Sequence, residues 1–200
     1  MRFSSVAVLF SLTAAVLAAP IERSTCSDAA AASSSSAVAA SSTTTASVSK
    51  AASGVLTEKT YNEFSVSGGV AGNALAEVNA EFPIDLNNLA DVAASDLAII
   101  VKAAQVSEDA ETETGGFNDA IDAAGGTKTT AGEALQNGKI KNKVLKLQTD
   151  ILRLQIEQAQ GKSGLDSQIA SQQTKLDSNV SLDKAAAGEA STAIDFAGSD

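Results

Sequence analysis

The chain carries 24 carboxylate side chains and 14 cationic ones, with no histidine and a single cysteine. That inventory decides which chemistry is open to it. Without histidine there is no imidazole base, no imidazole zinc ligand and no Ser-His-Asp triad. A pair of carboxylates could hydrolyse a glycoside. Sugar-binding clefts usually stack their substrate on aromatic faces, however, and this chain has no Trp and one tyrosine, Tyr61. A carboxylate-dependent hydrolase is therefore the weakest reading, and the sequence is read as non-enzymatic, with no catalytic residue, no cofactor and no metal.

Four short motifs bear on binding. Glu108, Asp109, Glu111 and Glu113 form an acidic run, but it lacks the alternating Asp/Asn-with-Gly pattern of a calcium loop and reads as a solvated helix end. Gly161-Lys162-Ser163 matches the last residues of a phosphate-binding P-loop. The first glycine of that motif would fall at Ile156, and the segment follows a helix where the motif needs a strand. Gly68-Gly69-Val70-Ala71-Gly72 precedes a helix, yet it lacks the G-x-G start and the βαβ setting of a dinucleotide loop. Asn179-Val180-Ser181 is an N-glycosylation sequon, placed by the helical pattern inside the last helix.

Cys26 has no partner for an internal disulfide. It is either an incidental thiol or the half of an intermolecular bridge, and nothing near it in sequence would lower its pKa.

The amino terminus reads MRFSSVAVLFSLTAAVLAAP. Arg2, the uncharged apolar run 6–17 and the small residues Val16 and Ala18 at −3 and −1 spell a secretory signal peptide over residues 1–18. The run is too short to span a bilayer, so no transmembrane segment is expected after processing. Of the thirty residues 24–53, fifteen are Ser or Thr and ten are Ala. Such a segment cannot bury enough apolar surface to offset the backbone entropy of ordering. Residues 19–55 are read as a disordered stalk whose dense hydroxyls suit O-glycosylation.

The remaining residues, 56–200, are enough for one domain. Periodicity of three and four predicts helices over 73–82, ended by Pro83, over 96–114 with Ser95 as N-cap, and over 117–124. A shorter helix is expected at 87–93, and extended pieces at 64–66 and 193–196. The clearest signal is at 139–160, where Ile140, Val144, Leu147, Ile151 and Leu154 step by 4, 3, 4 and 3. A Gly-bounded break at 161–164 follows. Leu165, Ile169, Gln172, Leu176 and Val180 then continue the spacing to about 187. Residues 139–187 thus read as an antiparallel helical hairpin and as the stable centre of the domain. With so few aromatics, the core is expected to be aliphatic. The fold class is all-α: a small antiparallel helical bundle ending in that hairpin and preceded by the disordered segment.

Charge is segregated. Residues 58–133 hold 14 acidic and 3 basic side chains, whereas residues 139–162 hold 6 basic and 2 acidic. The basic helix is expected to lie against the acidic ones. A formal charge of −10 repels phosphate backbones, so nucleic acid is excluded as a partner.

The strings YNEFSVSGGVAGNALAEVNAEFP (61–83) and GKIKNKVLKLQTDILRLQIEQAQGK (138–162) resemble a family of fungal small secreted proteins that carries no firm functional name. The resemblance covers most of 56–200 and implies no catalytic residues. In architecture alone, the layout is similar to fungal hydrophobic surface-binding proteins and cell-wall galactomannoproteins, which are exported and helical, some of them lipid-holding. The reading is a secreted or cell-wall-associated interaction protein, acting at the cell surface or on a host as an effector, whose partner is a cell-wall polymer, a host protein or a lipid. The alternatives are a carrier for a fatty acid or sterol between the helices and, last, the carboxylate hydrolase.

Overall fold

The computed structural model describes residues 53–198. The expected signal peptide at 1–18, nearly all of the expected stalk at 19–55 and Cys26 lie outside the described residues. Six α-helices run through the described residues: α1 (Tyr61–Phe64), α2 (Ala74–Glu81), α3 (Ala94–Thr112), α4 (Phe117–Ala123), α5 (Thr130–Ala159) and α6 (Asp166–Ala185). Two short strands, β1 (Gly69–Val70) and β2 (Ala190–Ser191), pair antiparallel. The all-α class is as the periodicity predicts. No helix among the described residues is long and apolar enough to cross a membrane.

Helix α5 is the axis of the domain, and α2, α3, α4, α6 and β2 all pack on it. Its 30 residues span about 45 Å at 1.5 Å per residue. Thr129 caps it, its hydroxyl accepting from Gly132 N–H at 3.0 Å. The helix starts at Thr130, nine residues before the expected 139. The glycines at 132 and 138 weaken the helical signal there, but both are demanded by contact. A Cβ on Gly132 would lie 2.1 Å from the Gly126 carbonyl oxygen, and one on Gly138 would lie 2.0 Å from that of Thr192. The chain crosses those turns so closely that only glycine fits.

Of the predicted stripe, Val144, Leu147, Ile151 and Leu154 are core residues and Ile140 is half-buried; Leu145 and Leu152 beside it are buried as well. The hairpin forms as expected. Gly161 and Gly164 take positive φ, 106° and 80°, at the reversal. Gln158 Nε2 donates to Asp166 Oδ1 at 2.8 Å across the near end. The hairpin as a whole is not the stable centre, however. Helix α6 fully buries only Leu176 and Asp183, so α5 alone is central and α6 is an outer helix.

The core is not purely aliphatic. All five aromatic side chains of the described residues are buried, and four of them gather at one end. Tyr61 meets Phe64 and Phe196 edge-on at 5.6 and 5.8 Å, and Phe64 meets Phe82 at 6.0 Å. Burial pushes the Tyr61 phenol above its ordinary pKa, against the pull of the Ser65 and Ser67 hydroxyls. The phenol donates to Asn142 Oδ1 at 2.8 Å, and Asn142 Nδ2 donates to the Ser107 carbonyl at 2.7 Å. A few rings, all spent on one cluster, leave a bulk composition that looks aliphatic.

Other local expectations shift. Residues 64–66 are not a strand, because Phe64 closes α1; the strand lies further on, at β1. Residues 87–93 hold only a 3-10 turn, Leu89–Asp91. Helix α3 begins at Ala94, so Ser95 lies inside its first turn and Ala93 is the N-cap. Asp96, buried at 2 %, turns away from its own helix end. Its carboxylate accepts from Val55 N–H at 2.9 Å and Leu56 N–H at 3.0 Å, pinning the incoming chain to α3. Beyond β2 the tail is a strap: Thr192 N–H donates to the Ala134 carbonyl at 2.9 Å, and Phe196 N–H to Asn62 Oδ1 at 3.0 Å.

Candidate functional site

Most buried charges of the domain are occupied with holding it together. The Lys141 side chain is 1 % exposed, and its ammonium donates to the carbonyls of Gly68 (2.9 Å) and Val70 (3.1 Å) and pairs with Glu77 Oε2 at 2.8 Å. Gly68 and Val70 therefore turn carbonyls to a cation where a phosphate cradle would need amides, and the Gly72 amide is taken by a carboxylate of the chain itself. Asp183 accepts from Gly72 N–H and Ala74 N–H, both at 2.9 Å, joining the end of α6 to the start of α2. Gly161-Lys162-Ser163 is the hairpin turn, and Lys162 Nζ lies 2.7 Å from Glu157 Oε2.

The acidic run on α3 meets the basic face of α5, as the charge segregation predicts. Glu111 is ringed by Lys143 Nζ at 3.0 Å, Lys146 Nζ at 3.5 Å and Lys139 Nζ at 3.7 Å, and Glu108 pairs with Lys146. These carboxylates face ammonium groups rather than one another. Among the described residues, no cluster of three or more His, Cys, Asp or Glu side chains is arranged to hold a metal.

One concavity sets polar side chains beside the apolar Val101, Ala104 and Leu147. Helices α3 and α6 both pack on α5 and leave a trench of about 450 Å³ between them, floored by Lys146, Leu147, Asp150 and Arg153 of α5. Gln105 and Glu108 stand on the α3 wall, and Gln172 and Lys175 on the α6 wall. Asp150, Arg153 and Glu157 share one face of α5 because they are three and four residues apart.

The guanidinium of Arg153 donates from Nη2 (2.6 Å) and Nε (3.1 Å) to Asp150 Oδ1 and from Nη1 (3.1 Å) to Glu157 Oε1. Burial works against its charge, but Asp150 and then Glu157 outweigh that, and its pKa is raised. Lys162 foremost, with Arg153, holds the Glu157 carboxyl below its ordinary value, against a smaller opposing effect of burial.

Gln172 Nε2 donates to Asp150 Oδ2 at 2.7 Å, which fixes the orientation of its amide. The other end of that amide, Oε1, is buried without a hydrogen-bond partner. Glu111 Oε2 also lacks a hydrogen bond, but it faces Lys146 at 3.5 Å. Gln172 Oε1 has no such compensation, and an unsatisfied buried acceptor is costly. Lys175 is exposed and makes no ion pair among the described residues.

The trench therefore presents donors and acceptors side by side. Three of the five guanidinium N–H groups of Arg153 are engaged, leaving two. Lys175 and the Gln105 amide add donors, while Gln172 Oε1, Asp150 and Glu108 add acceptors. Glu108 and Asp150, with Glu111 and Glu157 behind them, offset its three cations, so a polyanion gains little there.

Asn179 lies on α6, half-buried, and its Nδ2 donates to the Lys175 carbonyl at 2.9 Å within the helix. It is not part of the trench. Sequence reasoning missed the trench residues, although one signal was present: Gln172 occupies an apolar position in the spacing that runs from Leu165 to Val180.

No curated protein and no solved structure matches the chain. Residues 56–195, which include every wall of the trench and the whole of α5 and α6, match the family described as Domain of unknown function (DUF8454), and the chain belongs to that family.

Proposed function

We propose that this is a non-enzymatic, secreted or cell-wall-associated interaction protein, and that it binds a neutral polyhydroxylated polymer in the trench between α3 and α6. The observation that carries the reading is the mixed donor and acceptor lining of the trench, with Gln172 Oε1 buried and lacking a donor. A hydroxyl is donor and acceptor at once, so a row of sugar hydroxyls can satisfy both kinds of group. A carboxylated or phosphorylated chain would meet Glu108 and Asp150. The trench is lined by no aromatic ring, so recognition there rests on hydrogen bonds and not on stacking. The leader at 1–18 and the Ser/Thr/Ala-rich segment behind it support export and display away from the surface.

The test is a co-sedimentation assay of the secreted protein with insoluble β-glucan, chitin and a charged polysaccharide. The wild type is expected in the pellet of a neutral polymer, with Gln172→Leu and the pair Gln105→Ala/Lys175→Ala retained at least tenfold less. Equal retention of wild type and variants, or preference for the charged polymer, overturns the proposal.

A further inference from the structure

A second cavity lies at the other side of α3 and shares no residue with the trench. It measures about 210 Å³. The incoming chain at Val55 and Leu56 forms one wall, held there by the Asp96 carboxylate. The end of α2 at Ala80 and Pro83 forms the second, and Ile99 and Ala103 of α3 the third. The rings of Phe64 and Phe82, inclined at 70°, supply the aromatic floor.

The charged groups sit at the rim and are already paired. Lys59 bonds Glu81, joining the incoming chain to α2, and Lys102 Nζ lies 3.1 Å from Glu58 Oε1, joining α3 to the incoming chain. Each lysine at the mouth is thus neutralised by a glutamate.

Two arguments fix the class of occupant. The first is size. A cavity of about 150 Å³ lined by Leu, Ile and Phe holds benzene, whereas sites for drug-sized ligands run from about 300 Å³ upward. At about 210 Å³ this pocket suits one substituted ring and is too small for a sterol. The second is charge. An ionic head group would displace Glu58 or Glu81 from its lysine or enter the apolar floor unpaired, which is unfavourable. An uncharged ligand leaves both ion pairs in place and removes apolar surface of the Phe64 and Phe82 floor from water.

We infer that the pocket beneath residues 55–59 is a binding site for a small uncharged apolar molecule of about one aromatic ring, independent of polymer binding. The site lies at the point where the chain joins the domain, under a segment held by one carboxylate and two exposed ion pairs.

The test is an NMR titration of the secreted, full mature chain with benzyl alcohol, with benzoate and cholesterol in detergent-free dispersion as comparisons. Saturable amide shifts centred on Phe64, Phe82, Ile99 and Ala103 are expected for benzyl alcohol, with benzoate at least tenfold weaker and cholesterol inert at those residues. Ala80→Trp changes an exposed residue on the wall and should weaken the binding at least tenfold while leaving the other amide shifts in place. The wild-type titration decides alone should that variant misfold. Absence of saturation, shifts spread away from the pocket, or cholesterol occupying it would overturn the inference.

Discussion

Replacing Lys141 by methionine tests how the fold holds its irregular loop. Methionine keeps much of the aliphatic stem, so the packing of this α5 side chain against its neighbours changes little. What is lost is an ammonium with a side chain 1 % exposed, which engages the Gly68 and Val70 carbonyls and Glu77. The Glu77 side chain is 39 % exposed, so water resolvates it and its share is small. Each of the two carbonyls left behind costs about 1 kcal/mol, the low end for an unsatisfied group, because Gly68 and Val70 are partly accessible. Adding about 0.5 kcal/mol for the ion pair and subtracting a comparable relief of a buried charge gives a net loss of about 2 kcal/mol. For a domain of this size that lowers Tm by roughly 8 °C.

The loss should be local as well as global. The Ala71 amide, which donates to the Glu189 carbonyl at 3.0 Å beside the β1–β2 pair, should exchange with solvent at least tenfold faster. Amides around Leu152 in mid-α5 should change only as far as global stability does. The double variant Lys141→Met/Glu77→Ala should be less destabilised than the sum of the single ones, since they share one contact. Unchanged Tm together with unchanged Ala71 exchange would refute the argument that this ammonium pins the loop.

Three further outcomes follow from other contacts. Gly138→Ala should cost at least about 2 kcal/mol, because its Cβ would lie 2.0 Å from the Thr192 carbonyl oxygen and 3.1 Å from the Phe117 ring; chemical denaturation reads it, and a neutral effect contradicts the close crossing of the tail. The lowered pKa of Glu157 means that its contribution is present above the pKa of the unfolded chain and fades as pH falls through the lower folded value. Glu157→Gln should therefore be less stable than wild type at pH 7 and indistinguishable from it in strong acid, and a difference independent of pH would count against the pairing with Lys162 and Arg153. Mass spectrometry of the secreted chain should find its first residue at Ala19, and a retained Met1 would remove the signal-peptide reading.

The sequence made α5 legible where its apolar residues recur, from Ile140 to Leu154, because one face of that helix is buried along its whole length. It hid the nine residues 130–138, since Gly132 and Gly138 look like helix breakers until the chain crossing them is known. It overstated α6. Leu165, Ile169, Leu176 and Val180 have the spacing of a core helix, yet only Leu165 and Leu176 of these are fully buried, because α6 sits at the edge of the bundle. Charge segregation between α3 and α5 was readable from counts alone, but the pairing of Glu111 with three lysines needed the register of the two helices.

The structural roles of Asp96, Asp183 and Lys141 could not be read. Each bonds backbone groups between 40 and 111 residues away in sequence, and side-chain type alone does not say which loop will arrive. The trench was hidden for a similar reason. Asp150 and Arg153 have the three-residue spacing of any helix-surface ion pair, and only the packing of α6 sets Gln172 beside them. A polar residue in an apolar register was its one mark in the sequence.

The most direct measurement of the binding proposal is an amide shift map of the mature chain with a soluble β-glucan or chitin oligomer. The proposal expects saturable shifts confined to Gln105, Lys146, Asp150, Arg153, Gln172 and Lys175 and their immediate neighbours. Saturable shifts elsewhere on the domain with the trench silent, or no shifts with any neutral oligomer at millimolar concentration, would contradict it.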